Sequence, residues 1–247
     1  MKKIIEKRNY IILLIIIGLI IWIILPKRKA YVKTFNFNNA NITYVIYEKI
    51  NNDKISKNID KIYNKYKKRT LSKKEKKYIY NQTNGFLDMT NNYLLNYSTN
   101  EVLKYLKSSG IKKYMINVDG DVILGNKYSK NKYSVSLHDP DDNSILKIIY
   151  FTNKALSTTN YSDDLKSLKG NRKDYDMVSV LCDDIVTSNI ISNYLYYLPV
   201  KEGKKVLLKK KCYGLWYKNE KIITSANFSK YFNKKLWKRF ICMVNCM

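Results

Sequence analysis

Residues 10–25, YIILLIIIGLIIWIIL, carry no charge and are flanked by MKKIIEKRN before and PKRK after. A run of this kind cannot be treated as part of an ordinary amphipathic domain, so it limits what the remaining chain has to fold. As a helix, its residues span about 24 Å, a little less than a hydrocarbon core of about 30 Å. Ile4 and Ile5, snorkelling lysines and local bilayer thinning can make up the difference. Trp22, near the far end, suits an interfacial anchor. A cleaved signal peptide is the competing reading, but Pro26 and the basic residues 27–29 stand where a small-x-small site would lie. No cysteine is near enough for lipoprotein processing. The expectation is an uncleaved single-span transmembrane helix in an anchor over residues 1–29. Basic residues on both sides leave its orientation open.

Residues 30–247 remain, enough to bury a substantial core. The chain has 46 Lys and Arg against 20 Asp and Glu, a net charge of +26. Such a balance raises nucleic acid or anionic lipid as partners. Lysine far outnumbers arginine, however, and the basic residues are spread among abundant Asn, Ile and Tyr. Arginine is the residue that reads bases and phosphates with two hydrogen bonds, and its scarcity points to a solvated basic surface rather than a specific nucleic-acid face. Cys182, Cys212, Cys242 and Cys246 sit late in the chain. The last two lack the companion His or Cys pair of a zinc site. One disulfide is compatible with an oxidising compartment, and the pairing is left open.

Ile42, Tyr44 and Ile46 alternate with polar residues, as in an antiparallel strand. Ile55, Ile59, Ile62 and Tyr66 recur at three and four, which makes an amphipathic helix. Ser72 with Glu75 three residues later forms a capping-box signature. Asn84-Gly85 marks a turn, and a helix from about Ser98 ends towards Gly110, a residue suited to a left-handed cap. YMINVDGDVILGN reads as strand, Asp-Gly turn, strand; YSVSLHDP and SILKIIYFTN continue as strands. Beyond Asp183 the apolar spacing becomes helical, Pro199 ends that helix, a shorter one follows, and GLWYKNEKIITSANFSKYF closes with a hairpin. The interleaving predicts an α+β fold. Between a strand and a polar stretch lies ALSTT, residues 155–159, whose three consecutive hydroxyls read either as a strand end followed by a polar turn or as a loop that holds an anionic or polar ligand.

The order of the pieces is the stronger signal: NGFLDMT, a helix closed by SGIKK, INVDGDVILG, HDP, NKALSTTNY, then VSVLCDDIVTSNIISNYLYYLPVKEGKKVL. This succession resembles the ApbE-type flavin transferases, or FAD:protein FMN transferases, over roughly residues 31–228. The resemblance implies mixed sheets flanked by helices. It also implies FAD as substrate, Mg²⁺ at the pyrophosphate, and transfer of FMN to a threonine of a target protein with release of AMP. Position by position, Gly120 and Asp121 match the end of a Gly-Gly-Asp turn, with Asp119 in place of the first Gly. Ser157, Thr158 and Thr159 match the hydroxyl segment, with Asn160 where its Gly stands. These five matching residues are the implied cofactor contacts; no catalytic residue is assigned.

Ala155, Asn189 and Asn193 occupy the family's metal-binding positions, but Asn189 replaces an Asp and Asn193 a Thr. The two are four apart and share a helical face. Neutral amides are poor substitutes for the carboxylate Mg²⁺ prefers. Asp183 and Asp184 at the start of that helix either compensate or merely favour its positive end. LNYSTN, residues 95–100, keeps Tyr97 but loses the family's Lys, Gly and Asp, and KSLKGNRKDYDM replaces its His-containing stretch. His138, the only histidine, is read as solvated or structural rather than catalytic. Two functions stay open: a divergent, membrane-anchored flavin transferase with an extracytoplasmic domain, or a non-catalytic relative that binds flavin or protein.

Overall fold

The computed structural model describes residues 30–37, 40–48, 50–87, 93–126, 133–160, 171 and 174–232. The chain divides into two units, Met1–Ala30 and Tyr31–Met247; only the second is described below. The apolar segment 10–25, Cys242 and Cys246 lie outside the described residues. Among the described residues, no helix is long and apolar enough to cross a membrane.

One antiparallel sheet of eight strands organises the unit, in the order β1-β2-β3-β4-β7-β8-β9-β10. Its strands are β1 (Tyr31–Phe37), β2 (Ala40–Ile46), β3 (Tyr114–Val118), β4 (Asp121–Leu124), β7 (Lys154–Asn160), β8 (Met177–Cys182), β9 (Tyr213–Lys218) and β10 (Lys221–Thr224). The hairpin β5 (Tyr133–His138) and β6 (Ile145–Phe151) forms a separate two-stranded sheet. The α+β expectation holds. Every described strand pairing between these elements is antiparallel, so what is mixed is helix with sheet, not strand direction.

Five α-helices accompany the sheet among the described residues: α1 (Asn52–Lys67), α2 (Lys73–Thr83), α3 (Leu94–Ser108), α4 (Ile185–Leu195) and α5 (Val200–Lys210). Their starts follow local chemistry. Asn51 caps α1 by accepting the Lys54 N–H at 3.0 Å, and Ser72 with Glu75 forms the expected capping box on α2. Asp184 caps α4, accepting the Thr187 N–H at 2.8 Å. That settles its role, and Asp183 pairs with Lys154 instead. Helix α3 begins at Leu94, four residues earlier than the sequence reading. Ser98 and Thr99 are absorbed into it because their hydroxyls donate back to the Leu95 carbonyl, at 2.6 and 2.9 Å.

Alternation along the strands sorts the core into two layers. Ile116, Ile123, Ala155, Val178, Val180 and Trp216 belong to the cluster that includes the helices. Val122, Leu124, Leu156, Met177, Leu181 and Leu215 face the other cluster, completed by Leu137, Ile149 and Phe151 of the β5–β6 hairpin. Covered on both faces, β8 is buried along its full length, which is why MVSVLC reads as a continuous run rather than an alternation. A disulfide joins Cys182 at the end of β8 to Cys212 just before β9.

Candidate functional site

The site grows from a tight turn. Asp119 and Gly120 take φ of +51° and +97° between β3 and β4, the two-residue geometry in which Asp-Gly is favoured. The Asn117 side chain accepts the Gly120 N–H at 2.9 Å and fixes the loop. The chain therefore enters β4 with Asp121 on the helix side of the sheet, in register with Ile123, and only 8% exposed.

Strand β7 lies beside β4, and here the expectation of a loop is overturned. Residues 155–160 are paired with β8 throughout, and Lys154 pairs with Leu124 of β4. Hydroxyls that would disrupt a solvated strand are tolerated because α4 supplies partners across the sheet face. Ser157 and Thr159 point to that helix and are essentially fully buried. The Ser157 hydroxyl lies 3.2 Å from Ser192 Oγ, and Ser192 donates to the Asn189 carbonyl at 2.9 Å. Thr159 donates to Asn193 Oδ1 at 2.6 Å and also lies 3.0 Å from Ser192 Oγ. The Asn193 amide nitrogen faces the Tyr93 hydroxyl at 3.4 Å.

Asp121 joins this cluster to the backbone of β7. Its Oδ1 accepts the Thr158 N–H at 3.1 Å, and its Oδ2 accepts the Asn189 amide at 3.2 Å. The same amide nitrogen is 3.2 Å from Ser157 Oγ. Asp121, Ser157, Thr159, Asn189 and Asn193 thus form one connected network. Thr158 points the opposite way: its hydroxyl meets Ser179 at 2.9 Å.

On that opposite face, between the large sheet and the hairpin, lies a cavity of about 680 Å³. Gly120, Thr158 and Asn160 reach it from the sheet, Met115, Leu156 and Met177 give it an apolar floor, and His138 and Asp139 stand at its hairpin side. His138 is exposed and bonded to Ser136 Oγ and the Asn143 carbonyl, each at 2.8 Å. Asp139 accepts the Tyr217 hydroxyl at 2.6 Å, and that hydrogen bond, with burial, pushes the phenol up to about 12. A second hollow of about 400 Å³ opens between α2, α3 and the start of α4, lined by Tyr78, Tyr97, Glu75 and Asp184 among others. Tyr78 bonds to Thr187 there at 2.8 Å.

The sequence-matched residues are therefore divided by the sheet. Gly120 and Thr158 belong to the cavity side; Ser157, Thr159, Asn189 and Asn193 belong to the helix side, with Asp121 contacting both strand and helix. Ser188, Ser192 and Ser179 were missed. Ser188 and Ser192 lie one position before Asn189 and Asn193, so two adjacent polar stripes on a mostly apolar helix were the available signal.

The three positions expected to hold Mg²⁺ do not fit it. Ala155 is fully buried, and the Ser188 hydroxyl lies 3.3 Å from its carbonyl oxygen. Asn189 presents a nitrogen to the carboxylate, and Asn193 has its oxygen occupied by Thr159. Among the described residues, no group of three His, Cys, Asp or Glu side chains is placed to hold a metal ion.

The ApbE family model matches residues 95–216. No curated protein matches the chain by sequence. Among solved structures, the flavin transferase ApbE from Vibrio cholerae superposes with a TM-score of 0.66 at 13% identity, over 83% of this chain and 99% of that one. The apo flavinyl transferase ApbE of Pseudomonas stutzeri gives 0.66 at 11% identity, over 83% and 98%. The ApbE protein of Thermotoga maritima gives 0.62 at 12%, over 83% and 100%. The matched segment carries the Gly120–Asp121 turn, β7 and α4, and over most of its length the chain shares the fold of these ApbE structures.

Proposed function

We propose that this chain binds FAD in the cavity between the large sheet and the β5–β6 hairpin, and acts as an FAD:protein FMN transferase-like protein. The observation that carries the reading is the cavity itself. Its volume of about 680 Å³ lies within the roughly 300–1,000 Å³ common for ligand pockets, and it combines apolar walls with a few polar groups. Gly120 adds no side chain where a ligand would approach the turn, and a Cβ built there meets nothing within 4 Å. In the transfer, a threonine hydroxyl of a target protein attacks the FMN phosphorus. The pyrophosphate P–O bond breaks, AMP leaves, and the hydroxyl proton is released. On this chain's side, Thr158 and Asn160 would orient the ligand and the apolar floor would exclude water from its ring system.

A second reading, a flavin-binding module without turnover, is favoured by the closed hydrogen bonding of Asn189 and Asn193. The Cys182–Cys212 disulfide supports an extracytoplasmic location for the domain, with residues 1–29 as its membrane anchor. Titration of the full-length protein in detergent with FAD, followed by flavin fluorescence, tests binding; chromatography of released AMP with a candidate acceptor tests transfer. Ser134→Trp, at an exposed position lining the cavity, is expected to abolish binding. Unchanged affinity in that variant rules the cavity out as the flavin site.

A further inference from the structure

We infer that the Asn189 side-chain amide stands in for a cation in this chain, bridging the Asp121 carboxylate and the Ser157 hydroxyl on the helix face of the sheet, where it leaves no place for a divalent metal. The ligand part of this inference rests on the FAD-binding reading above; the metal part does not.

The orientation of the amide follows from its partners. An ionised carboxylate only accepts hydrogen bonds, so the Asn189 atom 3.2 Å from Asp121 Oδ2 is the nitrogen. Its second hydrogen is directed at Ser157 Oγ, also at 3.2 Å. One planar NH₂ group therefore links an acidic side chain on β4, a hydroxyl on β7 and helix α4. A bound Mg²⁺ would organise oxygen atoms around itself at about 2.0–2.1 Å. To accept one here, Asn189 must turn its oxygen inward, giving up both contacts and bringing two oxygens face to face.

The neighbouring groups reinforce the exclusion. Asn193 Oδ1 is held by Thr159 at 2.6 Å, and freeing that oxygen for a cation would break a buried hydrogen bond. Ala155, the third expected ligand, is the partner of Ser188 and has no solvent exposure. Asp121 already receives the Thr158 backbone N–H on its other oxygen. Two N–H donors thus face this carboxylate, a neutral means of satisfying its charge.

The test uses Mn²⁺ as probe on the full-length protein in detergent. Electron paramagnetic resonance of free Mn²⁺ is expected to show no saturable binding to the wild type at sub-millimolar concentration. Asn189→Asp sets a second carboxylate beside Asp121. It is expected to bind Mn²⁺ at least about tenfold more tightly and to melt at a lower temperature in chelator, with recovery on adding Mg²⁺. Asn189→Ser, which removes the bridge without adding charge, guards against a misfolded Asp variant: it too should bind no Mn²⁺. FAD affinity of the wild type should agree within about twofold between chelator and millimolar Mg²⁺. Saturable Mn²⁺ binding by the wild type that Asp121→Asn removes overturns the inference. Absence of FAD binding under both conditions instead sinks the flavin reading, and the Mn²⁺ signal still decides the role of the amide.

Discussion

Thr159 of β7 donates its hydroxyl to the side-chain oxygen of Asn193 on α4 at 2.6 Å, and the two residues are 1% and 8% exposed. A hydrogen bond so deeply placed is costly to break from one side, because the remaining partner cannot turn to water. Thr159→Val keeps the shape and deletes the donor. Urea unfolding should show a loss of about 2 kcal/mol, with fold and disulfide retained. A loss within error of zero would mean that Asn193 finds another donor and that the network is loosely held.

The Arg69–Glu75 pair sets an acid limit. Burial alone would raise the Glu75 carboxyl, but hydrogen bonds from Arg69 and Ser72 outweigh it and hold it at about 2 instead of 4.5. Because the folded value is depressed, this stabilisation is complete above about pH 4.5 and is lost as pH falls towards about 2. The expected contribution is on the order of 2 kcal/mol. Glu75→Gln should flatten that part of the stability–pH curve while leaving helix α2 in place. Identical slopes in the two proteins would remove the pair from the account.

Gly203 in α5 sits against the fully buried Trp216. A Cβ there would lie 2.7 Å from Trp216 Cζ2 and 3.1 Å from Leu195 Cδ2. In an exposed helix, alanine would be favoured over glycine by about 1 kcal/mol. Here crowding of a closely packed ring should outweigh it, costing about 1–3 kcal/mol. Gly203→Ala is therefore expected to lower the thermal midpoint and shift tryptophan fluorescence. A higher midpoint would show that the indole can move aside.

Features determined within a few residues were legible before any coordinates. Asn84-Gly85, the Asp119-Gly120 turn, the Ser72–Glu75 box and the left-handed Gly110 each follow from one residue's backbone freedom or one side chain's reach. The order of motifs also pointed to the fold. What could not be read locally was the destination of Ser157 and Thr159. Three hydroxyls in sequence resemble a polar loop until Ser192 and Asn193, more than thirty residues away, are seen to cover alternate ones. The start of α3 escaped for a related reason, since Ser98 and Thr99 favour a cap unless packing commits their hydroxyls to the preceding turn. The partner of Cys182 is a matter of three-dimensional approach, and spacing alone does not choose it.

The bond between Cys182 and Cys212 closes a ring of chain around both α4 and α5. A peptidase that severs one backbone link between positions 183 and 211 leaves two polypeptides still tethered by sulfur. Such a clipped molecule keeps its mass on a non-reducing gel and separates into fragments only after thiol treatment, so damage beside the Asn189 bridge stays hidden until the protein meets a reductant.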